Sequence, residues 1–77
     1  MSSMLKQVKD FMQNIESGYD FTIEISKENE TIDLVEENEW EVIRVVEVIV
    51  GYHKDSLAEV GEYLNNNNLK YHLRELD

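Results

Sequence analysis

Between residues 21 and 26 every second side chain is apolar: Phe21, Ile23 and Ile25 alternate with Thr22, Glu24 and Ser26. A period of two puts the apolar set on one face of a pleated strand and the polar set on the other. This stretch therefore demands a sheet with one covered face. Lys27-Glu28-Asn29-Glu30 is polar enough to turn the chain, and Thr31–Val35 resumes with Ile32 and Leu34 on the covered side. A second polar tetrad, Glu36-Glu37-Asn38-Glu39, reads as the next turn. The tripeptide Glu-Asn-Glu occurs at 28–30 and again at 37–39, a spacing that fits a meander of short strands.

Trp40–Tyr52 carries two patterns at once. Val42, Val45, Val46 and Ile49 fall at a helical period, with Glu41, Arg44 and Glu47 opposite. Seven of the nine residues from Val42 to Val50 are β-branched, which favours a pleated strand. The β-branched majority decides for a third strand. Its apolar phase runs through Trp40, Val42, Val46, Val48, Val50 and Tyr52, and Arg44 interrupts it, so a bulge is expected near Arg44.

Helices are expected on either side of this meander. Met4, Leu5, Val8, Phe11, Met12 and Ile15 form one apolar stripe of a helix over 3–16. Ser2 or Ser3 can cap its start, and Gly18 suits a left-handed residue after its end. Ser56-Leu57-Ala58-Glu59 has the form of a capping box, with Ser56 as the cap. Leu57, Val60, Gly61 and Leu64 then make the buried line of a second helix, stopped by Asn65–Asn68. The tail Leu69–Asp77 fits a strand or a helix. The expectation is one α+β domain over 1–77: N-terminal helix, three-stranded antiparallel meander, capped second helix, and a short C-terminal strand or helix.

Charge is distributed unevenly. The formal net charge is −10, and the segment 20–47 holds ten acids against Lys27 and Arg44. Such a balance argues against direct binding to nucleic acid or an anionic membrane and favours a basic protein partner. It also keeps small proteins apart in solution. There is no Cys, so disulfides and thiolate metal sites are excluded. The N-terminal residues lack the apolar run of a signal peptide. The longest apolar stretch, Val42–Tyr52, is interrupted by charge and falls short of the ~20 residues a membrane span needs. The expected location is cytoplasmic, and the sequon Asn29-Glu30-Thr31 is then accidental.

Catalytic and metal patterns do not assemble. Glu28, Glu30 and Asp33 have calcium-loop spacing but lack the central Gly. His53 and His72 stand apart with no zinc motif. The three glycines, Gly18, Gly51 and Gly61, form no phosphate-binding loop or nucleophile elbow. His53, Asp55 and Ser56 read as a loop entering a helix and not as a triad. The expectation is a non-enzymatic chain with no cofactor and no metal.

Binding remains. The pattern places Asp20, Glu24, Asp33, Glu39 and Glu41 on the outer face of the sheet, with the turn acids at its rims. Side chains two apart on a strand stand about 6.7 Å from each other, and adjacent strands about 4.8 Å. Charge at that density is comparable to a nucleic-acid strand, with one phosphate per ~3.4 Å. Glu28, Glu30, Asp33, Glu36, Glu37, Glu39 and Glu41 are the candidate contact acids, with Trp40 as a candidate aromatic anchor. The phase shared with Val42 places Trp40 in the core instead, and both readings stand at this point.

In element order and acidity the chain resembles small phage-encoded inhibitors, such as anti-CRISPR proteins that mimic nucleic acid. Acidic immunity proteins and antitoxins that sequester basic nucleases are similar by the same criterion. The resemblance implies an inhibitor that occupies the nucleic-acid channel of a nuclease or CRISPR effector in the host cytoplasm. A different class of function is a homodimeric structural or regulatory module. It would pair through strands or the Val42–Tyr52 apolar run, with its acidity serving solubility.

Overall fold

The computed structural model describes residues 3–48 and 54–76. Its elements run in the order α1 (Ser3–Gln13), β1 (Asp20–Ser26), β2 (Thr31–Glu37), β3 (Val42–Glu47), α2 (Lys54–Asn66) and β4 (His72–Glu75). The architecture is α+β, as the patterning required. The expectations for Ser2, Ile49, Val50, Gly51, Tyr52 and His53 lie outside the described residues.

The sheet has four strands in the order β3-β2-β1-β4. β1 and β2 form the expected hairpin, with Ile23 opposite Leu34 and Ile25 opposite Ile32. Its turn closes through the Glu30 N–H and the Lys27 carbonyl, with Glu30 in the left-handed region at φ 55°. β3 continues the meander antiparallel to β2. The tail then resolves as a strand, because β4 pairs parallel with β1, Ile23 opposite Leu73. The sheet is therefore mixed and four-stranded: the C-terminal strand, one of the two expectations for the tail, joins the three-stranded meander beside β1. A parallel neighbour requires a crossover, and α2 lies in it.

The period-two side chains Phe21, Ile23, Ile25, Ile32 and Leu34 are all buried. They meet Met4, Leu5, Val8 and Phe11 of α1 and Val60 and Leu64 of α2 in one core cluster. Burial of side chains of this kind stabilises by roughly 1.5–3 kcal/mol each and is the main force assembling the two layers. Phe11 and Phe21 stack tilted at 5.4 Å between centroids. Lys9 on α1 lies over the Tyr63 ring of α2 at 4.8 Å, joining the helices at their rim.

Two helix boundaries differ from the sequence reading. α1 stops at Gln13, where Asn14 and Ile15 donate to the carbonyls of Phe11 and Met12. Gly18 then supplies the left-handed step at φ 90°. α2 begins at Lys54, so Ser56 stands inside the first turn and not at the cap. At the other end Asn68 takes φ 55°, and the Leu69 N–H returns to the Leu64 carbonyl at 2.9 Å. The Asn run ends the helix as expected.

Candidate interaction surface

The eight residues singled out from the sequence do not form one surface. Glu28 and Glu30 belong to the β1–β2 turn, whereas Glu39, Trp40 and Glu41 belong to the β2–β3 connection at the opposite end of β2. A seven-residue strand separates the two groups by about 20 Å. Asp33 lies midway on the outer face, paired with Glu24 on one side and Glu47 on the other.

Glu36 is a correction. It belongs to β2 and not to a turn, and it is 2% exposed. Its position continues the inward phase of Ile32 and Leu34, and opposite it stands Arg44. Arg44 Nε donates to Glu36 Oε1 at 3.0 Å, and Arg44 Nη2 donates to the Phe11 carbonyl at 2.8 Å. The guanidinium lies 3.8 Å from the Phe11 ring centroid. The second carboxylate oxygen of Glu36 accepts the Glu16 N–H at 2.6 Å. A buried charge is tolerated only when it is paired and hydrogen-bonded in this way. Arg44, the interruption in the apolar phase of β3, is thus the partner that lets Glu36 point inward. The bulge falls where it was expected: Arg44 faces Glu36 and Val42 faces Glu37, leaving Ile43 as the extra residue.

Glu37 is the second correction. It too lies on β2, half-buried, and its carboxylate is held rather than free. Thr22 Oγ1 donates to Glu37 Oε2 at 2.6 Å, and Arg74 Nη2 donates to the same oxygen at 2.5 Å. Arg74 Nη1 reaches Glu24 at 2.7 Å. The Thr22 hydroxyl, then Arg74, hold the Glu37 carboxyl below its ordinary pKa, and Arg74 is raised in turn. Glu24 and Glu37 stand on either side of the Thr22–Val35 pair. The guanidinium joining them closes over that pair, and both Thr22 and Val35 are 1% exposed. β4 therefore supplies the cation that organises the centre of the acidic face.

Beyond Glu24 and Glu37 no cation meets the face among the described residues. Glu24, Asp33 and Glu47 form one row across β1, β2 and β3. Burial, then Glu47 and Glu24, push the Asp33 carboxyl above its ordinary pKa. Among the described residues no Lys or Arg contacts Asp33 or Glu47.

Trp40 is the third correction: it is 83% exposed and not core. The bulge at Ile43 breaks the phase that would have carried it inward with Val46 and Val48. Asn38 Oδ1 accepts the N–H groups of Trp40 and Glu41 at 2.8 and 2.9 Å, and the Asn38 N–H donates to the Glu41 carbonyl at 2.9 Å. This Asx turn fixes the backbone under the indole. The Tyr19 hydroxyl donates to Glu41 at 2.6 Å. That bond, with the surrounding acids, raises the Tyr19 pKa. Glu39 and Glu41 are both turn residues, not strand residues of the outer face.

Beside Trp40 the β3 strand exposes Val42, Ile43, Val45 and Val46, side chains the sequence reading assigned to the covered face or to a homodimer contact. Val42 and Val45 lie on the outer face and Val46 on the helix face, so the exposed apolar side chains follow the edge of the sheet. On the helix side, Gln7, Asp10, Phe11, Asn14, Arg44 and Val46 line a groove of about 310 Å³. Among the described residues no group of three potential ligands is placed to hold a metal ion, and no helix is long and apolar enough to cross a membrane. In comparisons with family models, curated proteins and solved structures, nothing matches this chain.

Proposed function

We propose that this chain is a non-enzymatic binding module that engages a basic protein through the β2–β3 turn and the adjoining β3 edge. The observation that carries the reading is Trp40, held in solvent by a fixed turn, flanked by Glu39 and Glu41, and continuous with the apolar side chains of β3. An exposed aromatic beside a charged rim is the composition of a binding hot spot. In the form that the resemblance to phage inhibitors implies, the partner is a cytoplasmic nuclease or CRISPR effector. The acids then occupy the ground that nucleic acid would take. Glu36 is internal and Glu37 is engaged, so Asp20, Asp33, Glu39, Glu41 and Glu47 would carry the contact.

A photo-crosslinking residue at position 40, compared with one at Glu62 on exposed α2, tests this in a lysate of the encoding organism. The expected result is a basic protein captured at 40, not at 62, and lost at high salt. The inhibitor form further requires that the captured protein lose nucleic-acid binding when this chain is added. Equal capture at both positions, or capture of acidic proteins, would refute the proposal.

The exposed apolar row of β3 also supports a homodimer. With −10 on each copy, a dimer would tighten as salt rises, whereas a basic partner would dissociate. Sedimentation at two salt concentrations separates the two.

A further inference from the structure

β3 lies at the edge of the sheet, and its free side can be read from the ladder. The Val48 N–H donates to the Ile32 carbonyl at 2.8 Å, and Leu34 faces Val46 while Glu36 faces Arg44. Hydrogen-bonded pairs alternate in an antiparallel ladder. The amides and carbonyls of Arg44, Val46 and Val48 therefore point to β2, and those of Val45 and Glu47 point away from the sheet. Val45 is 54% exposed and Glu47 is exposed. Edge strands are commonly guarded by Lys, Pro, a bulge or an inward charge, and β3 has the last two at its start, in the bulge at Ile43 and the inward Arg44; beyond them the edge is open. Here the free positions carry a valine and a glutamate.

The two faces beside this edge differ. On the outer face, the row Glu24, Asp33, Glu47 has a cation at its β4 end, where Arg74 meets Glu24. Among the described residues none stands at its β3 end. On the helix face, the groove between α1 and β3 opens next to Val46, with Phe11 and Arg44 in its lining.

We propose that β3 takes up an extended segment of a basic protein as a fifth strand. The segment's Lys or Arg lies against Glu47, and its alternate apolar side chain enters the groove beside Val46. Strand addition places side chains on alternate faces, so a single segment alternating basic and apolar residues satisfies both sides. A second copy of this chain fits less well, because it would bring its own acidic row and its own −10 to the same edge. The inference rests on the reading of the chain as a binder of basic proteins and specifies how the partner is held.

The probe is a fluorescein-labelled peptide, TKVKVKVT, with TEVEVEVT as its charge-reversed control. Amide hydrogen exchange is followed by NMR. The lysine peptide is expected to slow exchange at Val45 and Glu47 by about tenfold or more at saturation. The control should leave both amides unchanged, and E47K should weaken the protection given by the lysine peptide. Unchanged exchange of β1 amides in E47K confirms that the variant is folded. Binding without protection at Val45 and Glu47 overturns strand addition yet leaves a basic partner captured at position 40 standing. No binding, or equal protection by both peptides, overturns the inference. So does concentration-dependent protection in the absence of peptide, which would make the occupant a second copy.

Discussion

Glu36 on β2 and Arg44 on β3 meet at 3.0 Å on the helix-facing side of the sheet, and the same guanidinium reaches the Phe11 carbonyl near the end of α1. One charged pair thus joins two strands to the helix above them. The Glu16 N–H, accepted by Glu36, adds the loop that leads into β1.

Removing one partner should therefore cost more than a surface ion pair. Arg44→Met leaves the Glu36 carboxylate buried without a counter-charge. Breaking a buried pair costs about 3–5 kcal/mol. Arg44 keeps 30% of its side chain exposed, so we expect about 2–4 kcal/mol by urea unfolding. Glu36→Gln should cost less, since the amide oxygen can still accept a hydrogen bond. A loss under about 0.5 kcal/mol for Arg44→Met, the range of ordinary surface substitutions, would show that the pair is not structurally important.

Asp33→Asn should stabilise the fold at neutral pH. Because the folded state holds the Asp33 proton more tightly than the unfolded chain does, ionising this residue works against folding. The penalty is absent below its ordinary value of 3.8 and complete above its raised folded value. Like charges facing each other across strands cost roughly 0.2–1 kcal/mol. The variant should accordingly melt about 1–8 °C higher at pH 7 and with no advantage near pH 3. A gain that persisted at pH 3 would assign the effect to something other than charge.

Arg74→Gln tests the clamp on the outer face. Glu37 shows the opposite sign from Asp33: its folded pKa is lowered, so its contribution is present above the ordinary 4.5 and is lost as pH falls through the lowered value. Arg74 is nearly half exposed, which limits the effect to about 0.5–1 kcal/mol at pH 7. The difference between wild type and variant should shrink as the pH drops below 4.5. Titration of the Glu37 carboxyl by NMR should show it moving up in the variant. An unmoved Glu37 would mean that the Thr22 hydroxyl alone sets it.

Trp40→Ala should change stability by no more than about 0.5 kcal/mol, as for other exposed sites, while lowering capture of the basic partner. In the wild-type chain the indole already faces water, so its fluorescence should shift little on unfolding. A large blue-to-red shift would place Trp40 in a covered position and remove it as an anchor.

The local patterns legible in the sequence are those with a short period. Alternation at Phe21–Ser26 and Thr31–Val35 specified strands and their covered face. The stripe from Met4 to Ile15 specified a helix, and the interruption at Arg44 signalled a bulge. The inward phase of Glu36, two residues beyond Leu34, was equally visible. Two glutamates beside an asparagine nonetheless suggest a solvated turn when no partner is in view. Arg44 was that partner, and eight residues of sequence separate the two.

What the sequence by itself determined is the α+β class, the core side chains of the helices and of β1 and β2, and a large excess of acid in the segment 20–47, because periodicity and composition are local quantities. Only the tertiary structure decided which acids remain available. Parallel pairing of β4 with β1 brings Arg74 to Glu37 across 37 residues, and the bulge at Ile43 leaves Trp40 in solvent. It also made β3 the edge strand, since strand order depends on long-range pairing that no local pattern encodes. The acidic stretch is therefore divided into neutralised, buried and open carboxylates by contacts made across the sheet.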